Sequence, residues 1–418
     1  MRDPFWQRWD SAAAAAHRSP LASPLASPLA AIPASLPAPE NIPPREWLYG
    51  TALIRRFVSV LVAPGGVGKS ALALAQALAL ATGKSFLGEK IHHTVPAWVL
   101  NLEDPLEETE RRLAALMLRH TIAREAVAGR IFLHSGRQRR VRMAAIGPDG
   151  YSIAFPDQQA ITETVKAHGI GLIIVDPFVK SHGLDENSNA HMDAAATAWA
   201  EVAEATGAAI QLVHHMRKGN AEDSLAGIEA ARGAKSLTDA ARVARLLSPM
   251  SMAEAEQLGV PSAERWRHVR LDDAKANLAP RADKALWYRL DTVNLNNSTE
   301  LYPHGDNVAA ITPWHPRSTF SRLSARECNQ ALDRIAEGPG DGAKYTAHRR
   351  GGAGQRWAGL VLTADFALTD AQAMEVIAAW LRNGLLAETE YRDPHQRRAR
   401  YGLAVNDALR PTDSSKPQ

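Results

Sequence analysis

The segment APGGVGKS, Ala63 to Ser70, lies between a β-rich apolar run, FVSVLVA (Phe57–Ala63), and an Ala/Leu stretch that reads as a helix from Lys69 to about Thr82. Holding a phosphate needs backbone N–H groups that converge on an anion, and Gly65, Gly66 and Gly68 let the main chain come that close. Lys69 adds a point charge suited to β- and γ-phosphates, and the Ser70 hydroxyl can ligate Mg²⁺. Ala63, Pro64, Val67 and Ala71 complete the loop as candidate nucleotide-binding positions. Ala63 stands where the commonest form of the loop has glycine, and a small residue is compatible with a strand end. Pro64 disfavours the partition-ATPase form, which has a second lysine there. The bland alternative is a glycine turn with a solvated lysine, but the strand before and the helix after argue for nucleotide. The expected ligands are ATP and Mg²⁺.

Other groups complete such a site. Asp176 ends the most apolar run, GLIIVD (Gly171–Asp176), where a Mg²⁺-orienting carboxylate belongs. Its alternative role is to open the turn before Pro177. Glu103, in NLEDP, ends the expected strand AWVLNLE (Ala97–Glu103) and is the candidate general base for the water attacking the γ-phosphate. Asp104 could take that role instead, or cap the next helix. His214 and His215 end AAIQLVHH (Ala208–His215). One should pack into the sheet and the other reach the nucleotide, with His215 the better γ-phosphate sensor, although lone histidines are more often structural. Arg242 and Arg245, in DAARVARLL at the start of an expected strand, could neutralise transferred phosphate from the same chain or a neighbouring subunit. Their alternative is a pair of surface arginines.

Strands and helices alternate from Trp47, which implies a doubly wound α/β domain with ligands at the carboxyl ends of its strands. Short strands (RVARLLS, HVRLD, LWYRLD) should extend the sheet from Ala241 to about Leu295. The chain has 418 residues, 45% hydrophobic and 22% charged, enough for two domains and a sizeable core. With 48 Lys plus Arg against 45 Asp plus Glu, any nucleic-acid contact must come from local basic patches. The single Cys328 excludes an intramolecular disulfide framework, no Cys/His cluster has zinc spacing, and a cytoplasmic location is expected. The longest apolar stretch, Ala71 to Ala81, is too short for a bilayer, so no membrane partner is expected, and the N-terminus does not read as a signal peptide. Residues 1–45, with a threefold SPLA repeat from Ser19 to Ala30, read as a disordered arm. The ATPase domain is expected over 46–300, a linker over 301–323, a winged-helix-like α+β domain over 324–406 and a disordered polar tail over 407–418.

The P-loop, LEDP after the second strand, IIVDPF, HHMRKG, RG-x-x-S-L-x-D-A-A-R and the late KAN together resemble the RecA-like ATPases of the plasmid RepA type, hexameric replicative helicases related to DnaB. The resemblance covers about Pro44 to Leu295. It implies that Lys69 and Ser70 hold ATP-Mg²⁺ with Asp176, that Glu103 activates water, that His215 senses γ-phosphate and that Arg242 acts across a subunit interface. It also implies a nucleotide contact for Lys275, a RecA-like mostly parallel sheet, a homo-oligomer, most simply a hexamer, and replication proteins as partners. The proline-rich arm and the winged-helix-like end depart from the simple ring helicase.

In such a ring, Arg217 and Lys218, after His215, could track single-stranded DNA in the channel, with an ordinary loop as the alternative. The turn YRDPHQRRAR carries Arg397, Arg398 and Arg400, placed as a wing that touches duplex phosphates, against a solvated or protein-binding surface. The functional expectation is an ATP-hydrolysing DNA helicase acting in replication of bacterial or mobile-element DNA. The rival is an ATP-dependent DNA-binding regulator or helicase loader without processive unwinding.

Overall fold

The computed structural model describes residues 31, 33–147, 153–215, 235–280, 282, 285–315, 323–349, 354–394 and 397–411. The SPLA repeat, Arg217 and Lys218 lie outside the described residues. Met1–Arg45 forms a unit by itself, in which the described residues hold one short 3₁₀ turn, Pro39–Asn41.

From Glu46 onward the chain opens with β1 (Trp47–Tyr49) and β2 (Leu53–Ile54), then β3 (Val58–Ala63) and helix α1 (Lys69–Thr82). Next come β4 (Ala97–Asn101), α2 (Leu106–Arg119), β5 (Ile131–Ser135), the short pair β6 (Ala145–Ile146) and β7 (Ile153–Ala154), and α3 (Gln158–His168). Then follow β8 (Leu172–Asp176), α4 (Asn189–Thr206), β9 (Ala209–His215), α5 (Lys235–Ala240) and β10 (Val243–Pro249). Helix α6 (Met252–Leu258) leads into β11 (His268–Ala276), β12 (Leu286–Asn294) and β13 (Asn307–Pro313).

Nine of these strands make one sheet, in the order β13-β12-β11-β10-β3-β9-β8-β4-β5. From β10 to β5 every neighbouring pair is parallel, and β11, β12 and β13 add antiparallel pairs at one side. The α/β class expected from the alternation is therefore the class observed. Period-two alternation explains the two cores. Val58, Val60 and Val62 of β3 pack with α3 and α4, while Leu61 and Ala63 pack with α1 and α2. Strands covered on both faces must be apolar throughout, as GLIIVD is. Helix α1 is buried along almost its whole length, so it needs cover on all sides. The sheet gives one side, and α2 and β13 also pack on it.

That cover corrects the expected linker over 301–323. Within it, β13 pairs with β12 from Asn294↔Asn307 to Tyr288↔Pro313, and Ala310 and Ile311 are fully buried. His120, the C-cap of α2, fixes the strand through Nε2 to the Ile311 carbonyl, 2.8 Å away. Helix α6 is a second departure, since only strands were expected there. Ser251 and Glu254 form its capping box.

The C-terminal part has its own core, with Leu332, Ile335, Trp357, Leu362, Val376 and Trp380 at its centre. It comprises α7 (Ala325–Glu337), α8 (Gly359–Phe366), α9 (Asp370–Arg382) and the antiparallel hairpin β14 (Leu386–Arg392) and β15 (Ala399–Val405). Thr369 caps α9 as the sequence suggested, in a box with Gln372. Helix α8 was not anticipated. Among the described residues, no helix is long and apolar enough to cross a membrane.

Candidate nucleotide-binding site

The site sits where parallel strands end together. Ala63 is level with His215 across β3 and β9, and Asp176 is level with Asn101 across β8 and β4. From Ala63 the chain turns through Pro64–Gly68, with Gly66 at φ 81° and Gly68 at φ 90°, a region that L side chains avoid. A Cβ at Gly68 would also approach the Leu290 side chain to 2.9 Å. Gly68 is the N-cap of α1 and has no side chain to bond that helix end. Its first-turn N–H groups are therefore left to an anion, reinforced by the helix dipole. Gly65 and Gly66 are exposed, Pro64 and Val67 half-buried, and Ala71 faces into the core.

Behind the loop a charge cluster forms. Lys69 is only 6% exposed. Burial lowers its pKa, and the carboxylates of Asp176 and Glu103 oppose that shift. Burial likewise raises the pKa of Asp176, against a hydrogen bond from the Ser70 hydroxyl and the charge of Lys69. A buried carboxylate touching a hydroxyl at a phosphate loop fits Mg²⁺, which takes hard oxygens. The described residues contain no cluster of three acidic, histidine or cysteine ligands. Mg²⁺ does not need one, because phosphate oxygens and water complete its octahedron.

Glu103 is not at a strand end as expected, for β4 stops at Asn101 and Glu103 lies in the turn beyond it. The turn is held from both sides. Asn101 Oδ1 accepts the N–H groups of Glu103 and Asp104 at 3.1 and 2.9 Å, and Arg137 Nε donates to the Glu103 carbonyl at 2.7 Å. Asp104 is engaged, bonded by Arg112 at 2.9 Å and by the Asn101 amide. Glu103 enters no ion pair among the described residues, and its charge is felt by Lys69, Asp176 and His215. Of the two carboxylates in NLEDP, Glu103 is the one available to a substrate. Asn101, Ser135 and Arg137 were missed by sequence reasoning; the partners of Ser135 and Arg137 are set by the pairing of β4 with β5, whereas those of Asn101 lie within eight residues of it.

The two histidines divide as adjacent strand residues do. His215 is half-buried, and burial and Lys69 lower its pKa. His214 points the other way, 6.5 Å from the Phe178 ring, with its Nδ1 unpartnered. Burial and the charge of His215 push His214 down to about 4. The sign follows. Below the ordinary value of 6.5 the unfolded chain binds a proton that the native His214 refuses, so its stability contribution is complete above pH 6.5 and disappears toward pH 4. The full effect is about 3 kcal/mol. Thermal melting followed from pH 7 to 4 should show a shallower acid limb for His214→Gln than for the wild type; parallel limbs would assign the loss to other groups.

Arg242 and Arg245 part company. Arg245 is buried between Glu89, bonded at 2.7 and 2.8 Å, and Asp273 at 3.1 Å. Burial alone would lower its pKa, but those carboxylates hold it firmly protonated. It is a core ion pair and cannot meet phosphate. Arg242 is exposed, just before β10. Val243 is level with Ser59, so Arg242 lies at the opposite edge of the sheet from the Ala63 end of β3. Lys275 is at that far edge too, beside Ala244, with Nζ on the Thr238 and Asp239 carbonyls at 3.0 and 2.8 Å. Burial and nearby Arg242 both lower its pKa. Neither residue is near the phosphate loop of its own chain.

On the C-terminal hairpin, Arg397 and Arg398 are exposed. Arg400 is not the free cation expected, because it bonds Asp393 at 2.9 Å, and Arg356 approaches the same carboxylate at 3.9 Å. Asp393 has a side chain only 3% exposed, and a buried carboxylate demands such partners.

Residues 26–221 match a family model described as an AAA domain, a span that holds the phosphate loop, Glu103, Asp176 and His215 but not Arg242. Among solved structures, the chain is similar to an ATPase domain, at 12% identity and a TM-score of 0.40 over 61% of this chain and 85% of that one. It is also similar to a DnaB-like replicative helicase solved for its interactions with primase, at 13% identity and a TM-score of 0.40 over 61% of this chain and 59% of that one. The C-terminal helices and hairpin lie beyond the matched span.

Proposed function

We propose that this chain is a P-loop ATPase working as a ring-forming DNA helicase in replication of bacterial or mobile-element DNA. One observation carries the ATPase part: Lys69, Ser70 bonded to Asp176, Glu103 and His215 gather at the carboxyl edge where α1 begins. The α1 N-terminus and Lys69 bind the β- and γ-phosphates. Mg²⁺, held by Ser70 and Asp176, would spread the negative charge that develops on the phosphate oxygens. Glu103 takes the proton of the attacking water. His215, kept neutral by its surroundings, can hydrogen-bond the γ-phosphate and report its loss. Arg242 would serve a neighbour's nucleotide. Lys275, which stands with it, would join it at that interface.

Turnover measured with and without single-stranded DNA, beside strand separation on a tailed duplex, tests the reading. DNA-stimulated turnover and unwinding are expected. The Glu103→Gln protein should lose roughly 10²- to 10⁴-fold in turnover while still binding ATP. No turnover in the wild type would end the ATPase reading. Stimulated turnover without unwinding would favour the regulator or loader, a reading to which the exposed Arg397 and Arg398 on the hairpin give support.

A further inference from the structure

Next to Glu103, but outside the phosphate loop, the ends of β4 and β5 and the turn after β8 enclose a cleft of about 960 Å³. Arg137, Arg140, Arg142 and Lys180 line it against a single carboxylate, that of Glu103. All four cations are exposed, and none pairs with a described carboxylate. No Phe, Tyr or Trp lines it, so it offers bases no stacking platform. His182, 8% exposed, also lines it and has a buried Nε2 without a hydrogen-bond partner.

The cleft is braced. Asp157 holds the loop by accepting from Arg139 and from the Arg142 backbone, each at 2.6 Å. Gly136 lies so close to Leu102 that a Cβ would stand 2.7 Å from that backbone, so no side chain can separate the two segments. A braced, cation-lined cleft without Phe, Tyr or Trp fits a run of phosphodiesters better than a base or a lone phosphate.

It also touches the catalytic turn. Arg137 bonds the Glu103 carbonyl at 2.7 Å, and the Ser135 hydroxyl bonds the Asp104 carbonyl at 2.7 Å. A phosphate drawing on the Arg137 guanidinium therefore pulls on the peptide that carries Glu103. We propose that this cleft takes the sugar–phosphate backbone of single-stranded nucleic acid, and that Arg137 is the positioning residue that carries its occupancy to Glu103. The first half stands without the ATPase reading; the second rests on it.

The probe is a fluorescein-labelled oligo-dT of about 30 nucleotides, its anisotropy followed without ATP between about 50 and 200 mM salt. Neutralising two phosphate contacts in the Arg140→Gln/Lys180→Gln protein should weaken binding roughly 25-fold at 0.1 M salt and flatten the salt slope by about 1.4. Unchanged affinity and slope, or a wild type that does not bind the probe, overturns the cleft. For the coupling, kcat is compared with and without oligo-dT. In Arg137→Gln the stimulation should disappear with KM for ATP unmoved, and Arg137→Lys should restore part of it. Full stimulation of Arg137→Gln overturns the coupling. A wild type without turnover fails the ATPase reading and the coupling together, and the anisotropy still decides the cleft.

Discussion

The Lys69→Ala protein should hydrolyse ATP no faster than background and melt close to the wild type. Lys69 is the one cation of the loop, and it sits with the carboxylates of Asp176 and Glu103 rather than in solvent. Without it, the charge on the β- and γ-phosphates faces two acidic groups with nothing but backbone N–H donors in between. Losing one preorganised charge stabiliser in a site of this kind costs about 10²- to 10³-fold or more. The fold has no such dependence. Alanine is the best helix former, the Lys69 pKa is already lowered by burial, and the cores on either side of the sheet do not include it. Phosphate-release kinetics and circular dichroism on the same sample separate the two effects. A folded Lys69→Ala protein with wild-type turnover would remove the nucleotide site from this loop.

What could be read from the sequence was local. The limits of α1, the burial of GLIIVD and the cap of α9 depend on residues within a few positions of one another, and all three stand as expected. The misreadings come from distance. Arg245 looked like Arg242 until Glu89 and Asp273, far away in the chain, enclosed it. Arg400 looked like a wing cation until the hairpin turned Asp393 beneath it. The run NVAAITP is too weakly apolar to announce a strand; it forms β13 because α1 and α2 need cover and β12 would otherwise be an edge. Helix α6 is a different kind of miss, since Ser251-x-x-Glu254 is a capping box visible without any structure. The Glu103 turn lies between. Its motif was legible, but its fastening to Arg137 needs β4 and β5 side by side.

Arg242→Ala should lose about 10³-fold or more in turnover with little loss of ATP binding, the cost of removing an arginine that stabilises transferred phosphate. The geometry makes the test sharper than the sequence alone could. Arg242 immediately precedes Val243, which is level with Ser59, whereas the phosphate loop leaves β3 after Ala63, about 15 Å further along the strands. The guanidinium would have to cross the sheet to reach its own chain's γ-phosphate. Its neighbour Lys275 gives hydrogen bonds to the Thr238 and Asp239 carbonyls, and Arg242 enters no ion pair among the described residues. A second subunit that docks its phosphate loop against this edge would supply the missing anion. Mixing Arg242→Ala with Lys69→Ala protein then creates some interfaces with an intact Lys69 on one side and an intact Arg242 on the other, and those pockets should turn over ATP although neither parent does. If every mixing ratio stays dead while both proteins still bind ATP and associate, Arg242 does not act across an interface. The proposed ring would then lose the arginine assigned to tie hydrolysis in one subunit to its neighbour.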